Sequence, residues 1–118
     1  MAERSNGGNG KTDVIDRLFH VIEGRRHGDP AVSNTARLFA KGTRKIAQKV
    51  GEEAVETVIE AVRGKRERLI HESADLMYHL LVLWADARIV PAEIWAELAR
   101  REGMSGIAEK AAREGDED

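Results

Sequence analysis

The sequence predicts an all-α domain, with four to five helices that form a bundle around a central antiparallel helical hairpin. Apolar residues recur at helical spacing through most of the chain, and neither an alternating strand pattern nor an internal repeat is visible. Residue types that end or begin helices separate these stretches at Gly42, Gly64, Pro91 and Gly103. Because only 4% of the residues are aromatic, we expect aliphatic side chains to dominate the core.

Polar residues mark the limits of the first two helices. Thr12 is a suitable N-cap for the first helix, which should end in the polar stretch 24–30. Ser33 can cap a short second helix, and Gly42 should end it because glycine readily adopts the conformation found after a helix. Residues 1–11 are rich in Gly, Asn and Ser, which predicts a disordered leader before the first helix.

Three further helices should follow, over residues 44–63, about 65–89 and 91–102. Thr43 is expected to cap the first of these, and Gly64 is expected to form the turn that separates it from the next. Pro91 suits the first turn of the last helix, where its missing N–H has no partner to lose. The chain is thus expected to fold as a single domain over residues 12–112, followed by an acidic tail over 113–118.

The two helices of the hairpin differ in how they distribute apolar residues. The third helix has an apolar face and a charged face on opposite sides. The apolar face consists of Ile46, Val50, Ala54, Val58, Ala61 and Val62. The charged face consists of Lys45, Lys49, Glu52, Glu53, Glu56 and Glu60. The fourth is apolar nearly all round, apart from a narrow polar stripe of Glu72, Asp75, His79 and Asp86. Its short neighbours cannot cover so much apolar surface, so we expect a second subunit to bury the rest in a homodimer.

The composition excludes several classes of function. The chain has no cysteine, which removes disulfides, thiolate metal sites and cysteine nucleophiles. A formal net charge of −2 gives no basic excess, so neither a nucleic acid nor an anionic membrane is expected as the main partner. No apolar stretch approaches the ~20 residues that span a bilayer, and the start of the sequence does not resemble a signal peptide. We therefore expect a cytoplasmic protein. The composition does not exclude a nucleotide as its substrate.

Two acidic pairs lie symmetrically about Gly64. Glu56 and Glu72 are each eight residues from it, and Glu53 and Asp75 are each eleven residues away. In an antiparallel hairpin that turns at Gly64, both pairs reach the same height, and the i,i+3 spacing within each pair puts both members on one face. Four carboxylates at one level repel one another and lose hydration, which a divalent cation that prefers oxygen ligands would offset. The hairpin therefore predicts a Mg²⁺ site.

The simpler interpretation is a solvated acidic helix face, and two observations argue against it. Like-charged residues three or four apart on the third helix cost roughly 0.2–0.5 kcal/mol per pair without compensation, and Lys49 can compensate only one of them through Glu53. Glu72 and Asp75 lie on the helix that we expect to be buried, where an unpaired carboxylate costs several kcal/mol. A metal ion is the better partner for these acids.

Two lysines precede the glutamates on the same face of the third helix. Lys45 and Lys49 are expected either to bind a chain of phosphates that extends from the metal or to form salt bridges with Glu52 and Glu53. The sequence has no glycine-rich phosphate loop, and it frames no Ser or Thr as a nucleophile. The remaining chemistry is metal-assisted attack of water on phosphorus, with a spare carboxylate as the base.

Other polar residues are weaker candidates. His79 lies one turn after Asp75 and is expected to support the ligands or to pack, not to bind the metal. Asp86 lies roughly 16 Å beyond Asp75 along the helix, too far to share the ion. Three more histidines are expected at the surface, namely His20, His27 and His71. Three basic residues near the C-terminus could equally meet a phosphate or lie in solvent, namely Arg100, Arg101 and Lys110.

The acidic residues also resemble a known signature. Glu52-Glu53-Ala-Val-Glu56, followed by Glu72-Ser-Ala-Asp75, is similar to the Glu-Glu-x-x-Glu and Glu-x-x-Asp motifs of the all-α nucleoside triphosphate pyrophosphohydrolases (MazG-like). Within that superfamily, the chain closely resembles the phosphoribosyl-ATP pyrophosphatase family of histidine biosynthesis over residues 45–61 and 72–83, and also over 14–18, 33–39 and 101–110. Asn34 is a departure, because an aromatic residue is expected there.

This resemblance implies a Mg²⁺-dependent hydrolysis of 1-(5-phosphoribosyl)-ATP to 1-(5-phosphoribosyl)-AMP and pyrophosphate, carried out by a cytoplasmic dimer. The site residues that it implies are Glu53, Glu56, Glu72 and Asp75 as metal ligands, Glu52 as base or supporting carboxylate, and Lys45 and Lys49 as phosphate ligands.

Two alternatives remain open. The same chemistry could act on another substrate, such as dUTP or a damaged nucleotide. A helical interaction module without enzymatic activity is the alternative from a different class, and it predicts that exchanging Glu56 and Glu72 for Gln leaves function intact.

Overall fold

The computed structural model describes residues 6–104, 110 and 113–114, with side chains from residue 14 onward within these ranges. In this part of the chain there are five helices, namely α1 (Asn6–Gly24), α2 (Asn34–Lys41), α3 (Thr43–Arg63), α4 (Arg66–Asp86) and α5 (Pro91–Arg101). The described residues contain no β-strand, so the predicted all-α fold is confirmed. Over the same residues, no helix combines the length and apolarity that crossing a membrane requires.

The start of α1 differs from the predicted one. The helix begins at Asn6 instead of Thr12, so residues 6–11 of the predicted leader are helical. Once a helix has nucleated on its packed part, it can grow by one hydrogen bond per added residue, and Thr12 therefore need not act as its cap. Residues 1–5, and most of the predicted tail, lie outside the described residues, and the division of the chain into leader, domain and tail stays a prediction.

The end of α4 also differs from the predicted one. The helix ends at Asp86 instead of Ile89. Arg88 adopts a left-handed conformation with a φ of 63°, and the Ile89 N–H donates a hydrogen bond back to the Trp84 carbonyl at 2.9 Å. This pattern closes the last turn of a helix and turns the chain away toward α5.

Helices α3 and α4 form the central hairpin, and they share the most extensive contact between helices in the described chain. The turn is at Gly64, whose left-handed conformation (φ 73°) costs glycine nothing sterically. The Lys65 N–H donates to the Glu60 carbonyl at 3.2 Å and so satisfies one of the last carbonyls of α3. Both α1 and α2 pack beside this hairpin.

The hydrophobic core lies toward the open end of the hairpin, away from Gly64. Its buried side chains are Phe19, Ile22, Leu38, Ile46, Leu81, Val82 and Ala85. They come from α1, from α2, from the start of α3 and from the end of α4. The half of the hairpin nearest the turn contributes none of these core residues.

An apolar stripe on α3 is exposed in the single chain. This α3 stripe consists of Val55, Val58, Ile59 and Val62. Their spacing puts them on one side of the helix, and Val58 and Val62 are 60% and 82% exposed. α3 instead buries Ile46, Glu53 and Glu60. On α4, Ile70 is exposed and Leu76, Met77 and Leu80 are half-buried, so the expectation that a second subunit covers the remaining apolar surface of this helix stays a prediction.

Candidate metal centre

Three of the four predicted metal ligands meet between α3 and α4. Glu53, Glu56 and Glu72 each offer a carboxylate oxygen, and these oxygens lie within 4.8 Å of one another. We call these three residues the acid cluster. Glu53 and Glu72 are only 9% and 8% exposed, whereas Glu56 is exposed to solvent. The cluster is therefore closed by protein on one side and open on the other.

The fourth predicted ligand, Asp75, belongs to a second group that shares Glu72 with the acid cluster. Ligand atoms of His71, Glu72 and Asp75 lie within 4.8 Å of one another, and His71 Nε2 is 3.3 Å from Asp75 Oδ2. The sequence predicts only an ordinary surface histidine at His71. It is largely exposed, but its position one turn before Asp75 places its imidazole beside that carboxylate.

Two buried oxygens of the acid cluster have no hydrogen-bond partner among the described residues. These atoms are Oε1 of Glu53 and Oε1 of Glu72. A buried carboxylate oxygen without a partner is costly, and native proteins rarely leave one unsatisfied. A divalent cation with oxygen ligands would satisfy both atoms and offset the repulsion between the carboxylates. The residues present therefore fit a metal ion of this kind.

A threonine supports the cluster from between the two helices. The Thr57 hydroxyl donates to the Glu53 carbonyl at 2.7 Å and also lies 3.3 Å from the Glu72 carbonyl. It therefore touches the backbone of one cluster residue on each helix. No motif in the sequence points to this residue.

Glu52 belongs to neither group of candidate ligands. Its carboxylate accepts a hydrogen bond from Gln48 Nε2 at 2.7 Å and lies 3.3 Å from Lys49 Nζ. These contacts lower the pKa of Glu52, with the largest effect from Gln48 and a further contribution from Lys49. Of the two roles predicted for Lys49, the structure thus shows a salt bridge with Glu52. Lys45 is half-buried, and its charge adds a small effect in the same direction.

Basic side chains approach the cluster from the side of the Gly64 turn. Glu60 is buried, and its Oε2 accepts hydrogen bonds from Arg68 Nε at 3.2 Å and from Arg63 Nη1 at 3.5 Å. Arg68 also lines a cavity of about 350 Å³ together with His71 and Glu72. Glu60 therefore holds an arginine at the edge of both candidate ligand groups.

His79 packs in the interior and lies outside both candidate ligand groups. It is 8% exposed, and its ring meets the Tyr78 ring edge-on with 4.9 Å between the centroids. Burial lowers the pKa of His79, and the charge of Lys49 lowers it further. The predicted packing role agrees with this position.

Substituting His79 with Gln is expected to weaken the pH dependence of the free energy of unfolding below neutral pH. Because burial lowers the pKa of His79 below its ordinary value of 6.5, the unfolded chain takes up a proton at this residue at a higher pH than the folded chain. The stability contributed by neutral His79 is therefore fully present above about pH 6.5 and is lost as the pH falls through the lower pKa of the folded state. Urea unfolding of both proteins between about pH 5 and pH 7.5 measures this effect. Parallel profiles would contradict it.

The remaining polar candidates lie elsewhere. Asp86 is at the end of α4, and its Oδ2 accepts a hydrogen bond from the Thr43 hydroxyl at 2.7 Å. On α5, Arg100 and Arg101 both bind Glu97, at 2.7 Å and 3.0 Å, and they hold the pKa of that carboxyl at about 2. Lys110 is exposed. The contacts of these two arginines within their own helix favour a surface role.

The chain is similar to one protein family along most of its length. Residues 15–102 match the family model described as phosphoribosyl-ATP pyrophosphohydrolase, and this range includes both helices of the hairpin. The phosphoribosyl-ATP pyrophosphatase of Azospirillum brasilense is 64% identical over 100 residues, which cover 85% of this chain and 90% of the relative. The protein of the same name from Gluconobacter oxydans is 60% identical, over 85% of this chain and 75% of the relative. A third, from Granulibacter bethesdensis, is 61% identical, over 85% of this chain and 62% of the relative.

Proposed function

The chain belongs to the phosphoribosyl-ATP pyrophosphohydrolase family, and we propose that it hydrolyses 1-(5-phosphoribosyl)-ATP to 1-(5-phosphoribosyl)-AMP and pyrophosphate in a Mg²⁺-dependent reaction. The proposal places this enzyme in the cytoplasm and in histidine biosynthesis. The observation that carries it is the acid cluster, in which two buried carboxylate oxygens lack a partner among the described residues. A site of this kind attracts a hard divalent cation and the phosphates that accompany it.

The acid cluster would hold Mg²⁺ through Glu53, Glu56 and Glu72, with Asp75 beside it through the group that shares Glu72. When bound, the ion supplies Lewis acidity toward phosphate oxygens and toward the attacking water. Because Glu56 is exposed, the cluster is open on the side from which a phosphate chain can enter. This combination suits an ion that keeps some positions for substrate and water.

Residues of the chain supply the charge and the proton acceptor. Lys49, held by Glu52, and Lys45 lie on one side of the acid cluster, and Arg68 lies at the cavity on the other side. These cations can bind the phosphates and stabilise pyrophosphate as it leaves. Glu52 is outside both candidate ligand groups and pairs with Lys49, so its carboxylate can accept the proton of the water or position Lys49.

We also propose that a second copy of the chain covers the α3 stripe. Four large aliphatic residues on one side of a helix make an apolar surface that a monomer rarely leaves in water. The same stretch of α3 carries Glu56, and a shallow depression beside it is lined by Gly51, Glu52, Val55 and Glu56. A partner seated on the stripe would therefore lie next to the acid cluster. In a two-fold symmetric dimer, both clusters would be placed in this way.

The proposed substrate can be tested directly. Purified protein with Mg²⁺ is offered 1-(5-phosphoribosyl)-ATP, dUTP and ATP in separate assays, and release of pyrophosphate is measured. We expect kcat/KM for 1-(5-phosphoribosyl)-ATP to exceed the other two values by roughly 100-fold, the discrimination that polar contacts to an extra substrate group can give. A preference for dUTP or ATP would overturn the assignment of substrate while leaving the metal chemistry in place.

A further inference from the structure

A second polar cavity lies away from the acid cluster. It has a volume of about 400 Å³ and is formed by the α1–α2 connection, by α2 and by the end of α4. The polar and aromatic side chains that line it include Arg26, His27, Phe39, Asp86 and Arg88. Two arginines and a histidine face a single aspartate there, so the cavity favours an anionic ligand.

One of the two arginines is fixed in the cavity wall. The Arg26 guanidinium lies 4.8 Å from the centre of the Phe39 ring, pairs with Glu23 at 3.1 Å and donates to the Ala85 carbonyl. Its side chain is 12% exposed. A cation held in this way loses little further freedom when a ligand binds. Glu23 offsets part of its charge, so the exposed Arg88 has to supply much of the attraction.

The backbone of Arg88 is unusual for its residue type. Its φ of 63° lies in the left-handed region, and it is the only described residue other than glycine with a positive φ. Glycine is the common choice at this position after a helix, because a Cβ atom is disfavoured there. Within the described chain the Arg88 side chain makes no hydrogen bond or ion pair that would offset this cost. A strained residue whose side chain lines a cavity is a candidate for a role in binding.

The cavity and the acid cluster both border α4. Asp86, which lines the cavity, lies on the same polar stripe of α4 as Glu72 of the acid cluster, and it is fourteen residues beyond Glu72, or roughly 21 Å along the axis. Its contact with Thr43 places it at the start of α3, the helix that carries both lysines of the proposed phosphate site. In the proposed substrate, two sugars and a purine separate the triphosphate from the phosphate of the phosphoribosyl group. An extended substrate with its triphosphate at the acid cluster would therefore carry this second phosphate toward the cavity.

We propose that this cavity binds the phosphomonoester of the substrate's phosphoribosyl group, with Arg88 as its main contact and with Arg26 and His27 beside it. The inference rests on the proposed function, because it takes its ligand from the proposed substrate. On this proposal, residues at the end of α4 distinguish 1-(5-phosphoribosyl)-ATP from ATP, because ATP lacks the phosphoribosyl group.

The test is the variant Arg88→Gly, for which stability and specificity should change in opposite directions. Glycine relieves the unfavourable φ, so Tm should rise by about 4 °C or more. Loss of the guanidinium should lower the ratio of kcat/KM for 1-(5-phosphoribosyl)-ATP to that for ATP by about tenfold or more. Arg88→Lys should restore part of the ratio. Arg17→Gln, which removes a positive charge from the exposed side of α1, should leave the ratio unchanged.

The outcomes separate this inference from the proposed function. If the wild-type protein does not prefer 1-(5-phosphoribosyl)-ATP to ATP, the proposed function fails. If it does and Arg88→Gly keeps the full preference, only this inference fails. A fall in Tm for Arg88→Gly would contradict the strain argument.

Ribose 5-phosphate should inhibit the wild type competitively and the variant about tenfold less strongly. Two results together would overturn the inference: inorganic phosphate inhibits the wild type as strongly as ribose 5-phosphate does, and Arg88→Gly keeps the preference for 1-(5-phosphoribosyl)-ATP over ATP. The cavity would then bind free phosphate.

Discussion

Substituting Glu72 with Gln is expected to abolish Mg²⁺-dependent hydrolysis while the helices stay folded. Glu72 is 8% exposed and belongs to both groups of candidate ligands, so its substitution removes the carboxylate that the two groups share. Gln keeps the shape of the side chain but removes the charge that a hard cation requires. Loss of one charged ligand costs several kcal/mol of transition-state stabilisation, which corresponds to a fall in kcat/KM of about 1000-fold.

The same variant separates metal binding from folding. Without metal, the free energy of unfolding of Glu72→Gln should equal or exceed that of the wild type, because the substitution removes repulsion with Glu53 and Glu56. Mg²⁺ at about 100 times its Kd should stabilise the wild-type protein by roughly 2.7 kcal/mol. The variant should gain much less. Urea unfolding followed by far-ultraviolet circular dichroism, with and without Mg²⁺, measures both quantities.

Asp16→Asn is the matched control, because it removes a carboxylate from the exposed side of α1. It should change neither the rate nor the response to Mg²⁺. A helical interaction module without enzymatic activity would instead keep its function when Glu56 or Glu72 is replaced by Gln. A Glu72→Gln variant with wild-type activity and wild-type affinity for Mg²⁺ would remove the basis of the proposed metal site.

Local signals in the sequence were sufficient to predict much of the fold. Ser33 caps α2, where its hydroxyl accepts the Ala36 N–H at 3.1 Å, and Gly64 makes the turn of the hairpin. The face that α3 turns to its neighbours was harder to predict. A helical wheel gives two faces, and only the tertiary contacts decide which one points inward. Here α3 buries Glu53 and Glu60 and exposes Val55, Val58 and Val62 to solvent, and no pattern within α3 alone predicts this choice.

The symmetry about Gly64 explains both what the sequence predicted of the site and what it missed. It predicted the meeting of Glu56 and Glu72, which are each eight residues from Gly64, because residues equally distant from a hairpin turn meet at the same height. Glu53 joins them because it lies three residues before Glu56, on the same face of α3. The same symmetry relates Glu60 and Arg68, which are each four residues from Gly64 and are in contact. The division of the carboxylates into two groups could not be predicted, because it depends on side-chain rotamers. The hydrophobic periodicity of a helix contains no information about side-chain rotamers.

Substituting Val58 with Glu is expected to dissociate the proposed dimer. Val58 is in the middle of the α3 stripe, and two-fold symmetry would place two such carboxylates in a single interface. Each buried, unpaired charge costs several kcal/mol, so the Kd of the dimer should rise by at least about 1000-fold. The fold of each chain should persist, because Val58 is already 60% exposed in the single chain. Sedimentation velocity over a range of concentrations measures the change in mass.

Val32→Glu is the matched control, because Val32 lies between α1 and α2, outside the α3 stripe, and is 82% exposed. It introduces the same charge and should leave the dimer intact.

Hydrolysis gives a second readout, since Glu56 lies on α3 beside the stripe and a partner seated there would border the acid cluster. Val58→Glu should therefore lose activity as the protein is diluted below its new Kd, and should regain part of it at high concentration. A wild-type protein that sediments as a monomer would show that the stripe serves another purpose. A monomeric variant with full activity would show that each acid cluster works without its neighbour.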